Sequence, residues 1–230
     1  RSIRLGLKHQ FPEQAGVLLL DSGDQFQGTL VSNYNEGKLV FRLMKLMNYD
    51  GLVPGNHAYD FGPVGWLEDR VNRNNPDKRN RGALYEALDF AKVPLIAANV
   101  YLKNEQIQSM LDGQILEEDE DPDLSEVDWS SVKRPRFVRP YRIRNIAGVR
   151  VALIGLDHPK TPKMTTYENV SDLHFRDPFE TYLEIQNKLK HRADIFILMI
   201  HDGNTTQEFY ANKLVEKIAA EGEGLLHLVM

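Results

Sequence analysis

Asp24, Asn56, His57 and Asp60 are the residues of this chain whose types and spacing could do chemistry together. They lie in polar turns that each end an apolar run: Val17 to Leu20 stops at Asp21-Ser22-Gly23-Asp24, and Gly51 to Pro54 stops at Gly55-Asn56-His57. A carboxylate can bridge two divalent cations, an Asn carbonyl oxygen is a neutral hard donor, and imidazole is an intermediate one. Two cations so held clamp a phosphate and let water ionise near neutral pH. His57, next to Asn56, is placed to touch whatever binds there. Asp60, three residues on across a turn, can accept from the far ring nitrogen and fix the tautomer. Taken singly, each has a plainer reading: Gly-Asn-His is ordinary turn chemistry, and an Asp after a strand is most often a helix cap.

The elements that must position these residues are legible from periodicity. Val17 to Leu20 and Gly51 to Pro54 read as short buried strands, and between them Leu39, Val40, Leu43, Met44, Leu46 and Met47 recur at helical spacing. Strand, helix, strand is a βαβ crossover, which brings both polar turns to one sheet edge, the edge where open α/β sheets bind ligands.

The segments GDQFQG and GNHAYDFG together resemble the metallophosphoesterases of the calcineurin-like superfamily, most closely the catalytic domain of 5'-nucleotidases and UDP-sugar hydrolases. PLIAANVY (Pro94 to Tyr101), PYRIRNIAGVRVALIGLDHPKTP (Pro140 to Pro162) and IFILMIHDGN (Ile195 to Asn204) are similar to that family's later blocks, in the same order. The resemblance implies an α/β fold, a four-layer αββα sandwich with the site on loops at one edge. It also implies two divalent metal ions (Zn, Mn, Co or similar). Asp24 would bridge them, Asn56 and His201 would bind one, and the hydroxide they hold would attack phosphorus in line. His57 would stabilise the transition state or protonate the leaving oxygen, oriented by Asp60. The implied substrate is a small phosphate ester, a nucleotide monoester first, with the base read by a C-terminal domain. A periplasmic, secreted or cell-surface setting is implied as well.

The chain departs from the pattern in two places. No Asp-x-His stands ahead of Val17, where the family carries one, Gly-His-x-His does not occur, and Ile200 stands where Ser usually precedes the metal-binding His. The expectation is a single domain over 1–230, trimmed at both ends, whose own turnover is impaired. A catalytically silent scaffold or binding domain is the alternative from another class. A cyclic-nucleotide phosphodiesterase or a sulfur-ester hydrolase would keep the same fold and metals.

The remaining sequence supplies scaffold. With 42% hydrophobic residues the chain can bury a core; its net charge of −5 decides nothing about a nucleotide substrate, and zero cysteines exclude disulfides and thiolate metal sites. No run of about 18 apolar residues is present, and no nucleic-acid polymer is expected as a partner. Arg1 to Gln14 reads as an amphipathic helix tail, Val64 to Val71 as a helix, 70–81 as an exposed basic loop and Leu84 to Ala91 as a second helix. Pro94 to Val100 reads as a strand with Asn99 at its end, a candidate substrate-binding residue that could equally be a cap.

Residues from about 102 to 135 read as an acidic surface insertion. Its alternating Asp119, Asp121 and Asp123 fail the calcium-loop pattern, with Leu124 in place of Gly and Ser130 in place of Glu. Lys133, Arg134, Arg136, Arg139, Arg142 and Arg144 resemble a nucleic-acid patch, but they alternate with Phe137, Val138, Tyr141, Ile143 and Ile146, which makes them the solvent face of a strand paired through a turn at Asn145 to Gly148 with Val149 to Leu156. Asp157, His158 and His174 are read as loop or packing residues. Pro178 to His191 reads as a helix, Asp194 to Ile200 as a central strand, Thr205 to Glu221 as a covering helix and Leu225 to Met230 as the start of a strand.

Overall fold

Apolar residues at every second position make two facing sheets, and apolar residues at helical spacing make the helices that cover them. The structure, a computed structural model, describes residues 2–63, 76–115, 122–202, 210–221 and 226–230. It begins with helix α1 (Ser2–Gln10), strand β1 (Leu20–Asp21), helices α2 (Leu30–Asn33) and α3 (Lys38–Met47), and strand β2 (Gly51–Leu52). Helix α4 (Pro76–Ala91), strand β3 (Val100–Leu102) and helix α5 (Glu105–Asp112) follow, then the hairpin β4 (Tyr141–Ile146) and β5 (Val149–Leu156). Helix α6 (Thr161–Met164), strand β6 (Leu173–Phe175), helix α7 (Pro178–Leu189), strand β7 (Ile195–Ile200), helix α8 (Tyr210–Glu221) and strand β8 (Leu228–Val229) complete it.

The layers follow from which way alternate residues face. In β5 and β7, Val151, Leu153, Ile197 and Met199 point inward and meet Val53 and Ile96 of the other sheet. Ala152, Ile154, Phe196 and Leu198 point outward onto Phe179, Tyr182, Ile185 and Leu189 of α7 and Leu214 and Ile218 of α8. On the far side Leu52 and Leu95 pack against Phe41 and Met44 of α3 and Leu84 and Ala87 of α4. The result is the αββα sandwich. One sheet has the order β4-β5-β7-β8, antiparallel only at β4/β5. The other pairs β1 with β2 in parallel and is extended by bridges Leu52–Leu95 and Ile96–Arg139. The parallel β1/β2 pair, joined through α3, is the crossover that carries the two polar turns to one edge.

Several expectations need correction. The first strand is confined to Leu20–Asp21, and the Pro94 to Val100 run is split into the bridges at Leu95 and Ile96 and the separate strand β3, which pairs with β6. The basic stretch ending at Arg81 is not an exposed loop where it is described: α4 starts at Pro76 and kinks at Arg81, whose side chain is fully buried. Its guanidinium donates to both carboxylate oxygens of Asp172 at 2.6 and 2.8 Å, and to the Asn169 carbonyl at 2.7 Å. A partner 91 residues away leaves no trace in local periodicity.

In α3 only Phe41 and Met44 are buried, while Leu39, Leu43, Leu46 and Met47 are exposed. Within the acidic insertion, Ile107 of α5 packs with Tyr101, Leu124, Val127 and Val132 into a small core of its own. The expected helix over 64–71, the acidic residues 117–121, Gly203 and the first turn expected for the helix ending at Glu221 lie outside the described residues.

Candidate functional site

Asp24 is delivered three residues beyond β1 by a turn with unusual backbone geometry. Its own φ is +54°, in the left-handed region that Asp and Asn tolerate better than other non-glycine residues. Gly23 and Gly55 permit the close approach around it: a Cβ at Gly55, where φ is +75°, would stand 2.5 Å from the Asp24 Oδ1, and one at Gly23 would stand 2.5 Å from the His201 ring. Gln25 ties the two turns together, donating to Asp21 Oδ1 at 2.8 Å and to the Val53 carbonyl at 2.7 Å. The backbone N–H of His57 donates to Asp24 Oδ1 at 3.1 Å, which leaves Oδ2 facing inward.

Three electron-rich atoms converge on that side. His201, directly after β7, donates from Nδ1 to the Ser22 carbonyl at 2.9 Å, so Nε2 carries the lone pair. Asn56 donates from Nδ2 to the Met164 carbonyl at 3.0 Å, which turns its Oδ1 toward His201 Nε2 at 3.1 Å. Asp24 Oδ2 stands 3.4 Å from the same nitrogen. Acceptors facing acceptors are satisfied by a cation between them, a proton on Nε2 or a metal ion. Two donors each about 2.1 Å from a shared ion lie about 3.0 Å apart at a right angle and about 3.4 Å apart at the tetrahedral angle. The separations fit a divalent cation of zinc or manganese size, held by one carboxylate, one imidazole and one carboxamide. Among the described residues no three His, Asp or Glu side chains cluster to hold an ion by themselves, so the third donor here is the Asn56 oxygen.

The electrostatics lean the same way. Burial by itself would raise the Asp24 carboxyl, yet the His201 imidazole and the His57 N–H outweigh it and hold its pKa below the ordinary value. Burial would lower His201, but its hydrogen bond to Asp24, the charges of Asp157 and Asp24, and the Ser22 carbonyl raise it. The pair is built to attract positive charge.

His57 sits in a 3₁₀ turn over Asn56–Tyr59 and points outward. Its Nδ1 donates to Asp60 Oδ2 at 2.6 Å, its Nε2 stands 3.9 Å from Asp24 Oδ2, and its side chain is 39% exposed. Nε2 is therefore the ring nitrogen left without a protein hydrogen bond, on the side of Asp24. Asp60 is itself held by Gln27, which donates to Oδ2 at 2.9 Å, and by Thr165, which donates to Oδ1 at 2.7 Å. Gln27 is fixed in turn by Asn33, which donates to its side chain and accepts from its N–H.

These supporting groups were missed in the sequence. Gln27 stands inside GDQFQG, and Met164 and Thr165 lie just beyond the block that ends at Pro162, but no spacing rule connects them to Asp60 or Asn56. Asp157 proves more than a loop residue: it is fully buried, accepts from the Tyr59 hydroxyl at 2.9 Å, and burial pushes its pKa up to about 6. Asn99 is also fully buried, its side chain bonded to both the N–H and carbonyl of Asp157 and to the Arg176 carbonyl. Its groups join strand ends behind the cluster. His158 lies beside Asp202, 3.5 Å from its carboxylate.

The fold is that of the calcineurin-like phosphoesterases. The structure aligns over 99% of its length with 60% of the calcineurin-like phosphoesterase YfkN from Bacillus subtilis, at a TM-score of 0.59 and 20% identity. It also aligns over 87% with 31% of the 5'-nucleotidase precursor from Thermus thermophilus, at a TM-score of 0.56 and 24% identity. The chain's sequence relatives include 5'-nucleotidases and a nucleotide phosphoesterase. It is 29% identical over 199 residues to the snake venom 5'-nucleotidase of Crotalus adamanteus, and 29% identical over 205 residues to the trifunctional nucleotide phosphoesterase YfkN. Each match covers 86% of this chain, but the chain spans only 26% of the first relative and 13% of the second. No family model matches the chain.

Proposed function

We propose that this chain carries part of the catalytic centre of a divalent-metal-dependent phosphoesterase acting on nucleotide phosphate monoesters. The convergence of Asp24 Oδ2, Asn56 Oδ1 and His201 Nε2 beside an outward-facing His57 is the observation that carries the reading. A divalent cation held there supplies Lewis-acid charge for phosphate oxygens and lowers the pKa of water. The chain's own residues do the rest. Asp24 brings the negative charge that retains the cation, and Asn56 and His201 complete its near side. His57, with Asp60 holding its Nδ1–H, would donate from Nε2 to a phosphate oxygen or to the departing ribose oxygen when its ring carries both protons. In a two-metal centre Asp24 would also face the second cation. The names of the sequence relatives point to nucleotides as substrates.

The donor set also supports a second reading, that these 230 residues alone turn over slowly or not at all. Among the described residues they offer three donors at one position and Asp24 alone for another, with no Asp-x-His ahead of Val17 and no Gly-His-x-His in the sequence. The deciding experiment pairs metal binding with turnover. Chelator-stripped protein is titrated with Mn²⁺, Zn²⁺ and Co²⁺, then assayed on AMP, p-nitrophenyl phosphate and bis-p-nitrophenyl phosphate. Metal-dependent release of phosphate from AMP, lost in Asp24→Ala, supports the enzyme. Metal binding lost in Asp24→Ala without turnover supports the incomplete centre. Activity that survives chelation, or no metal binding at all, overturns the reading.

A further inference from the structure

Away from the cluster, a groove of about 910 Å³ opens at the other end of the β1/β2 pair, and none of Asp24, Asn56, His57, Asp60 or His201 lines it. Its charge runs against that of the molecule. The chain as a whole carries −5, yet seven Lys and Arg side chains line this groove against two aspartates, an excess of five positive charges. The strand that was expected to show Arg142 and Arg144 to solvent turns them here instead. Both are half-buried and reach across to Asp50, just ahead of β2.

Asp50 cannot neutralise the cluster, because its capacity is already used. One carboxylate oxygen takes Arg144 at 3.1 Å, the other takes Arg4 at 2.9 Å and the Leu19 N–H at 3.1 Å, and the backbone carbonyl takes Arg142 at 2.9 Å. The second aspartate, Asp89, is paired with Lys92 at 3.0 Å. Arg136 and Arg139 make no side-chain hydrogen bond or ion pair among the described residues and stand exposed on the same rim. Crowded like charges at one concave surface are unfavourable on their own and favourable to an anion with several negative groups. Tyr49, Tyr85 and Pro94 give one wall an apolar character, and the volume lies within the range of small-molecule pockets.

We propose that this groove is a binding site for a small polyphosphorylated ligand, distinct from the candidate metal centre, with Arg136 and Arg139 receiving its phosphates and Arg142 and Arg144 forming the floor. Planar guanidinium groups from several segments suit bidentate contact with more than one phosphate at once.

The test uses inorganic tripolyphosphate as the probe, titrated calorimetrically at 150 mM NaCl, a level that screens exposed charges, into protein that has been stripped of metal and desalted. One saturable site is expected, unchanged in Asp24→Asn and weakened at least tenfold in the double variant Arg136→Glu/Arg139→Glu. The milder pair Arg136→Gln/Arg139→Gln, expected to weaken binding severalfold, keeps the experiment readable if charge reversal unfolds the protein. Equal binding by the Arg variants overturns the proposal, as does loss of binding in Asp24→Asn, which would put the anion at the metal centre. Tighter binding of a single-stranded oligonucleotide than of tripolyphosphate also overturns it, in favour of a polymer. So does equal displacement by sulfate at matched ionic strength, which would mean unspecific screening.

Discussion

His57 and Asp60 are joined by a 2.6 Å hydrogen bond from Nδ1 to Oδ2, and both remaining faces of that carboxylate are occupied, by Gln27 and by Thr165. The imidazole is thus fixed in one tautomer with Nε2 directed outward. In Asp60→Asn the amide can donate as well as accept, and the tautomer is no longer imposed. Turnover should fall about 10- to 100-fold. The ¹⁵N shifts of the His57 ring should change from a single Nδ1–H form to a mixture. An unchanged ring spectrum in the variant would show that Asp60 does not set the tautomer.

Gln27 and Thr165 act only through Asp60, so they are positioning residues. Gln27→Ala or Thr165→Ala should lower kcat about tenfold, within the range for groups one step removed from a catalytic centre, and leave KM for AMP nearly unchanged. A rise in KM with kcat intact would instead place these side chains against the substrate.

His201→Ala removes the imidazole at the convergent position and leaves Asp24 and Asn56. Metal affinity should drop by at least about 100-fold, measured by competition with a chromophoric chelator. Asn56→Asp adds charge at the same place and should raise affinity while upsetting the Met164 contact. If His201→Ala retained full affinity, the ion would have to sit elsewhere.

His174 provides a pH signature unconnected with the site. It stacks on Trp129 at a ring separation of 5.4 Å, and burial, aided by the charges of Lys103 and Arg176, depresses its pKa to about 4 from 6.5. The unfolded chain takes up a proton as pH falls through 6.5, while the folded chain does so only near 4. Stability is therefore full above pH 6.5 and is lost progressively between 6.5 and 4, by about 3 kcal/mol at most. Urea unfolding of His174→Phe, which keeps the aromatic stack, should lose that portion of the acid sensitivity. Identical pH slopes for the two proteins would rule the assignment out.

The pair formed by the fully buried Arg81 and the partly buried Asp172 should be costly to break on the Asp172 side. Asp172→Ala leaves a guanidinium in the core and should destabilise by about 3 kcal/mol or more, whereas Arg81→Met/Asp172→Ala should recover much of the loss. Thermal melts of the single and double variants decide it.

What could be read in advance divides along the range of the interactions. The β5 and β7 strands, helix α7 and the β1–α3–β2 crossover were legible because alternation and helical spacing are local. The meeting of Asp24, Asn56, His57 and His201 followed from strand ends in a known order. Gln27, Met164 and Thr165 were not legible, since their partners lie 33, 108 and 105 residues away. Arg81, Arg142 and Arg144 misled for a related reason. A cation in a polar stretch or on an alternating strand reads as solvated until the carboxylate facing it, Asp172 or Asp50, is placed.

The left-handed backbone at Asp24 has a consequence for how this position can change over evolutionary time. If Asp24 holds the proposed cation, two filters act there independently, one on the side chain's charge and one on its tolerance of positive φ. Glutamate passes the first and is penalised by the second; asparagine and glycine pass the second and fail the first. A lineage that gives up catalysis can therefore drift to asparagine or glycine at little cost to folding. A conservative exchange of one acid for another is the step least open to it.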